Sequence, residues 1–249
     1  MLNIVLPIAG RGSRFAVAGY PQPKPLIPVH GQPMIAAVVR NVRPRCAHRF
    51  IFVALAEHLE QGGMREALTR VAPDCVIVPV DGVTEGAACT VLLAKELIDS
   101  DEPLMLANSD QWVDLDIDDY LASMDRQRAD GLIMTMAADD PKWSFVGLNA
   151  AKLVTRVVEK EVISNEATVG IYNFRRGRDF VRAAEQMIAA NRRVNNEFYV
   201  APIYNELIEE GARVAIYNVG REGAGMYGLG IPSDLQQFLA NPISLRAVA

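Results

Sequence analysis

The chain has little cysteine, little histidine and few aromatic residues, and each shortage closes a class of function. Cys46, Cys75 and Cys89 are its only cysteines and form no Cys-x-x-Cys pair, so neither a zinc site nor a disulfide framework is indicated. They are expected as reduced core residues. His30, His48 and His58 are equally scattered, and none is assigned a catalytic or ligand role. No apolar stretch approaches the roughly 20 residues a membrane helix requires, which removes a membrane from the partners. Basic residues are outnumbered, 25 Lys and Arg against 30 Asp and Glu, for a net charge of −5. Phosphate-backbone binding normally shows as a basic face, so nucleic acid is also removed.

What is present suits a globular protein. With 249 residues, 50% hydrophobic and 22% charged, the chain is long enough to bury a sizeable core. It opens directly on a strand-like run, and a cytoplasmic location is expected. No internal repeat, linker or low-complexity segment interrupts it, which favours one compact unit over 1–249.

Short apolar runs at Leu2–Pro7, Phe50–Ala54, Cys75–Pro79, Leu104–Ala107 and Gly131–Met136 have the spacing of strands in βα units. Helical patterns over Pro33–Val42, Leu59–Val71, Ala87–Ile98 and Ile117–Arg128 lie between them. This predicts an α/β fold with a mostly parallel sheet covered on both faces. After Asp140 come strand-like segments at Phe145–Leu148, Leu153–Val158 and Thr168–Phe174, then helices at Gly177–Ala190 and Val200–Glu210 and a strand at Val214–Val219. A last helix over Leu235–Leu239 has Ser233 as its expected cap. The pattern divides the chain into two halves, 1–140 and 141–249, the second expected to be the substrate half.

The first strand empties into Ala9-Gly10-Arg11-Gly12-Ser13-Arg14-Phe15, followed by Pro23-Lys24-Pro25-Leu26. Gly10 and Gly12 let backbone N–H groups approach an anion, and Arg11, Arg14 and Lys24 supply cations for a polyphosphate. A Walker loop is excluded, because only one residue separates the glycines and no Gly-Lys-Ser/Thr follows. The dinucleotide fingerprint is excluded too, because Phe15 stands where its third glycine belongs. The second landmark is Leu104-Met105-Leu106-Ala107-Asn108-Ser109-Asp110-Gln111, a buried strand ending in a polar acidic cluster. Asp110 there suits a hard cation such as Mg²⁺ bridging phosphates, although the same three polar residues would also serve to turn the chain and cap a helix.

The string from Leu6 to Phe15, with Pro23-Lys24-Pro25-Leu26-Ile27-Pro28-Val29 and Gly31-Gln32-Pro33-Met34, resembles the sugar-nucleotidyltransferase family over about residues 2 to 240. The resemblance points to the branch associated with capsule and surface-polysaccharide biosynthesis. It implies a Rossmann-like three-layer α/β/α fold, similar to that of the glycosyltransferase-A group. The implied reaction joins a nucleoside triphosphate (CTP, UTP, GTP or dTTP) to a phosphorylated sugar or related small phosphate ester and releases pyrophosphate. A homo-oligomer is compatible with it.

On the same resemblance the nucleotide lies against Ile8, Ala9, Gly10, Arg11, Gly12, Ser13 and Ser109. Glu85, Gly86 and Ala87 resemble the family element beside the nucleobase, and a capped helix start would use the same residues. Arg14, Lys24 and Asp110 are the implied catalytic residues. Arg14 neutralises the leaving phosphates, Lys24 bridges the attacking phosphate and the α-phosphate, and Asp110 holds Mg²⁺ as the implied metal ligand. The family's second metal aspartate usually lies in Trp-x-Asp-x-Gly-Thr-Pro, but this chain reads Met226-Tyr227-Gly228-Leu229-Gly230-Ile231-Pro232, with Gly228 at that place. Either Asp110 holds the metal with phosphates and waters, or another carboxylate such as Asp114 or Asp234 replaces the missing one.

Glu159 and Lys160 resemble the pair that holds the acceptor, with Glu161 where the family often has proline; a surface ion pair would give the same letters. Gly147, Gly170 and Asn196 complete the implied acceptor residues. Asn195-Asn196-Glu197-Phe198-Tyr199 adds a polar segment beside aromatics on the expected acceptor wall, and Trp143 and Phe145 are expected to be packing residues, with an aromatic acceptor wall as the alternative. Two other classes fit less well. A glycosyltransferase explains Asp110 but leaves Arg14 and Lys24 idle, and a noncatalytic nucleotide-binding module requires binding without turnover.

Overall fold

The computed structural model describes residues 1–60 and 62–249. Its strands are β1 (Leu2–Ile8), a short hairpin of β2 (Pro28–Val29) and β3 (Gln32–Pro33), β4 (His48–Leu55), β5 (Val76–Val80), β6 (Leu104–Ala107) and β7 (Gln111–Val113). The chain continues with β8 (Gly131–Ala137), β9 (Ser144–Leu148), β10 (Val154–Glu159), β11 (Glu166–Phe174), β12 (Val214–Glu222) and β13 (Gly225–Gly228). The helices are α1 (Ser13–Val17), α2 (Met34–Asn41), α3 (Ala56–Glu60), α4 (Met64–Val71), α5 (Ala87–Leu92), α6 (Lys95–Ile98), α7 (Ile117–Arg126), α8 (Gly177–Ala189), α9 (Tyr204–Glu209) and α10 (Pro232–Ala240).

One sheet runs β5-β4-β1-β6-β11-β8-β12-β13-β7, with β9 and β10 added beside β11. Strands β5, β4, β1 and β6 are parallel, as are β8 and β12, while β11 runs antiparallel to both β6 and β8. Successive side chains of a strand point to opposite faces, and β1 shows the result. Ile4, Leu6 and Ile8 join one apolar cluster with Ile35 and Val39 of α2, while Val5 joins the other with Ala88 and Val91 of α5 and Phe180 of α8. These two clusters on one sheet make the three-layer α/β/α arrangement.

The expected mostly parallel sheet is found, with β11 as its principal exception. Because β11 lies between β6 and β8, strands from 1–140 and 141–249 share one sheet.

Several boundaries differ from expectation for local reasons. The helix expected over Leu59–Val71 is two helices, separated by Gly62 and Gly63 at φ 73° and 77°, a conformation that ends helices. The one expected over Ala87–Ile98 breaks where Leu93 and Ala94 bond back to Thr90 and Val91, three residues away. Ser233 does not cap α10: Ile231 is the cap residue, without a side-chain bond, and Pro232 opens the helix. Cys46 is exposed, not in the core, and Cys75 and Cys89 are half-buried.

Candidate active site

β1 delivers Ile8 and Ala9 as buried residues and then releases the chain into an exposed glycine loop at the carboxyl end of the parallel strands, where ligand crevices form in such sheets. Gly12 has φ 62°, and a Cβ there would stand 3.0 Å from the Lys24 Cβ, so glycine lets the loop lie directly on Lys24. Lys24 is fixed between Pro23 and Pro25 at the start of a 3-10 turn. Its ammonium donates to Asp110 Oδ2 at 2.5 Å, with the two side chains 17% and 30% exposed. This pair stands in a cavity of about 250 Å³ lined also by Ile8, Gly10, Gly12, Ala87, Asn108 and Ser109.

The other residues expected around the nucleotide are placed less uniformly. Ala9 is buried behind the loop, and Ser13 opens α1 on the surface. Arg11 and Arg14 are exposed and lie outside the lining of this cavity; Arg11 instead borders a separate one beside Tyr20, Glu57 and His58. Glu85 is exposed and ion-paired with Arg193 at 2.8 Å. Its carbonyl accepts from the Phe198 N–H at 2.7 Å, while the Phe198 carbonyl accepts from the Ala88 N–H at 3.1 Å. Gly86, at φ 133°, makes this fit possible, since a Cβ there would lie 2.4 Å from the Phe198 carbonyl oxygen. The Glu85–Ala88 turn is therefore strapped to the second half of the chain.

A metal at this site would find few donors. Among the described residues no group of three or more His, Cys, Asp or Glu side chains is arranged to hold one. Asp114 is taken by Arg246 at 2.6 Å. Asp234 lies beside Gly228, its Oδ2 3.1 Å from where a Cβ would be. Asp110 keeps one carboxylate oxygen clear of Lys24, and Mg²⁺ is commonly held by one or two carboxylates with phosphates and waters. The residues present fit such a one-carboxylate site.

Ala87 and Asn108 also line a second cavity of about 300 Å³, which contains Glu159, Gly170, Gln111, Trp143, Ser144, Thr168, Tyr172 and Tyr199. Gly170 has φ 82°, and a Cβ there would lie 2.2 Å from Asn108 Nδ2, so its absence admits the Asn108 side chain between the cavities. Glu159 is 7% exposed and accepts a hydrogen bond from the Ser144 hydroxyl. Burial pushes its carboxyl upward from the usual range, against the opposing pull of that bond and of Lys160. Lys160 itself is exposed, at φ 57°, and donates to Tyr199 Oη at 2.8 Å.

Lys160 lies outside the lining of this cavity, and so do two other expected acceptor residues. Gly147 lies outside the lining, packed where a Cβ would meet Arg156 and Ile163, and Asn196 is exposed in a turn at φ 63°. Phe145 is fully buried as expected, whereas Trp143 borders the cavity. Tyr199 belongs to the segment expected on the acceptor wall, whereas sequence reasoning assigned no role to Gln111, Ser144, Thr168 or Tyr172. A signal existed for two of them: Thr168, Gly170 and Tyr172 alternate along β11 and so share a face.

A family model described as nucleotidyl transferase matches residues 3–216. The chain belongs to the nucleotidyl transferase family. As a nucleotidyltransferase it resembles several solved structures in fold. A nucleoside-diphosphate-sugar pyrophosphorylase from Vibrio cholerae RC9 shares 27% identity over 97% of this chain and 100% of that one, with a TM-score of 0.78. A UTP-bound UGPase from Acinetobacter baumannii shares 18% over 97% and 95%, with a TM-score of 0.72. The inositol-1-phosphate CTP transferase from T. maritima shares 13% over 96% and 96%, with a TM-score of 0.69. No curated protein matches the chain.

Proposed function

We propose that this nucleotidyltransferase joins a nucleoside triphosphate, held over the first cavity, to a small phosphorylated acceptor in the second, and releases pyrophosphate. The observation that carries this reading is the Lys24–Asp110 pair in a cavity that shares Ala87 and Asn108 with a second, polar cavity. An acceptor spanning that shared wall would present its phosphate to Lys24.

An acceptor phosphate oxygen attacks the α-phosphorus in line and forms the new P–O bond. The bond from the α-phosphorus to the oxygen bridging to the β-phosphorus breaks, and its electron pair leaves with pyrophosphate. No covalent intermediate on a side chain is needed, because positioning and charge neutralisation are sufficient for such a displacement. Lys24 draws the attacking phosphate and the α-phosphate together. Arg14, on the surface of α1, turns inward to the leaving phosphates when they are present, and backbone N–H groups of Gly10 to Ser13 bind them. Asp110, with phosphate oxygens and waters, would hold Mg²⁺, whose contribution when bound is charge neutralisation along the triphosphate.

Glu85, Gly86 and Ala87 border the base, and Glu159, Lys160 and Gly170 receive the acceptor. The same reading takes the cytoplasm as compartment and supply of activated precursors for capsule or surface polysaccharide as use. The transfer reaction itself is supported by the family match and by neighbours whose names specify nucleoside-diphosphate-sugar and inositol-1-phosphate chemistry. The test is pyrophosphate release with CTP, UTP, GTP and dTTP, each against phosphorylated sugars, polyols and amino alcohols. One pair should turn over well above the rest, and no release with any pair contradicts the reading.

A further inference from the structure

The second cavity, which Lys142 also lines, holds one buried carboxylate that the protein leaves without an ion pair, with Lys160 as the opposing charge acting on it. Glu159 is 7% exposed, and among the described residues its hydrogen-bond partner is the neutral Ser144 hydroxyl; none of their Lys, Arg or His side chains comes within ion-pair distance. The two nearby lysines are engaged elsewhere. Lys160 donates to Tyr199 Oη, and Lys142 pairs with Glu222 at 3.1 Å and Asp140 at 3.8 Å. Burial raises the Glu159 carboxyl most, the Ser144 bond and the Lys160 charge each oppose it by less, and the Glu197 charge adds the smallest upward push. A buried carboxylate without a cation is costly, and the cost is relieved by a proton or by a cationic partner.

The walls around Glu159 suit the second remedy. Trp143, Tyr172 and Tyr199 line the cavity, and two of these rings already carry an ammonium group, Lys142 at 4.8 Å from the Trp143 ring and Lys160 at 5.1 Å from the Tyr199 ring. Aromatic faces beside a carboxylate form the usual surroundings of a bound alkylammonium.

We infer that the acceptor carries an ammonium group at the end away from its phosphate, held by Glu159 and the aromatic wall of the second cavity, an inference that rests on the nucleotidyl-transfer reading. The acceptor is then a zwitterion, with its phosphate at Lys24 and its cation beyond Asn108. A neutral polyol phosphate would bond to Glu159 but leave the buried charge unbalanced.

Calorimetry tests this on the intact protein, alone and saturated with the α,β-methylene analogue of each triphosphate. The probes are phosphoethanolamine against propyl phosphate, phosphocholine against its carbon isostere 3,3-dimethylbutyl phosphate, and glucose 1-phosphate. At least one ammonium probe should bind about tenfold or more tighter than its neutral counterpart and than glucose 1-phosphate. The phosphoethanolamine and phosphocholine arms separate a protonated amine from a quaternary one. In Glu159→Gln the preference should shrink to within about threefold, and the wild-type comparison stands even if that variant does not fold. Equal binding of the neutral isosteres, tighter binding of glucose 1-phosphate, or binding of no probe overturns the inference. Failure of pyrophosphate release with every triphosphate overturns the transfer reading instead, since the binding preference is measured without turnover.

Discussion

The cavity at the end of β1 takes its charge from loops and keeps it partly exposed in the Lys24–Asp110 pair, whereas the cavity beside β11 takes most of its polar groups from strands and buries them. Arg11 and Arg14 are exposed, and Lys24 and Asp110 keep enough exposure to meet an incoming ligand. Glu159, Ser144, Thr168 and Gln111 are instead nearly sealed. The difference follows from what each side must do. On the proposed reading, a triphosphate brings its own large charge and is met by exposed cations and backbone N–H groups, which need little burial to bind it. A small acceptor is told from its analogues by buried groups that it alone satisfies, because an unpaired buried polar group is costly.

The contrast breaks most sharply at Lys24. Lys24→Ala should lower turnover about 10²- to 10⁴-fold at saturating substrates, the scale of losing a transition-state charge stabiliser, with the thermal midpoint little changed. Near-normal turnover would remove Lys24 from the reaction. Next comes Asp110: chelation should abolish activity and Mg²⁺ restore it, and Asp110→Asn should need about 10- to 100-fold more Mg²⁺. Because Lys24 and Asp110 are bonded, the double variant should lose less than the two single losses combined.

The loop side of this comparison was legible in the chain, and the strand side largely was not. Glycines and cations adjacent in sequence stay adjacent in space, so Gly10, Gly12, Lys24 and Asp110 could be found as motifs. Their reach could not, and Arg11 and Arg14 lie outside the lining of the cavity that their neighbours form. The second cavity draws Asn108 from the turn after β6, Gln111 from β7, Ser144 from β9, Thr168 and Tyr172 from β11, and Tyr199 from a loop. No local pattern joins these segments; pairing of β11 with β6 and β9 does. Gly147 and Asn196 matched a family pattern in letters yet stand outside that cavity. β7 and β13, of three and four residues, are too short to carry a period and exist through pairing with each other.

Two smaller effects sharpen the comparison on the buried side. Gly170→Ala would set a Cβ 2.2 Å from Asn108 Nδ2 at φ 82°, so stability should fall by about 1–3 kcal/mol and acceptor KM rise about tenfold. An unchanged melting curve would mean that the wall between the cavities yields freely. Glu159→Gln should have the mildest effect on the fold, and of the opposite sign. Burial raises the folded carboxyl above its unfolded value, so the stability that its proton supplies is present at low pH and lost as pH rises through the folded value. The variant should therefore melt above wild type near pH 7, with the gap closing near pH 4. A gap that widens on acidification would show a carboxylate stabilised by partners.

The most direct test of two separate sites is triphosphate affinity in Glu159→Gln, titrated by calorimetry beside the acceptor KM of the same variant. The account predicts nucleotide affinity within about threefold of wild type while acceptor use weakens about tenfold or more. Loss of triphosphate binding with acceptor use intact would reverse the assignment of the two cavities.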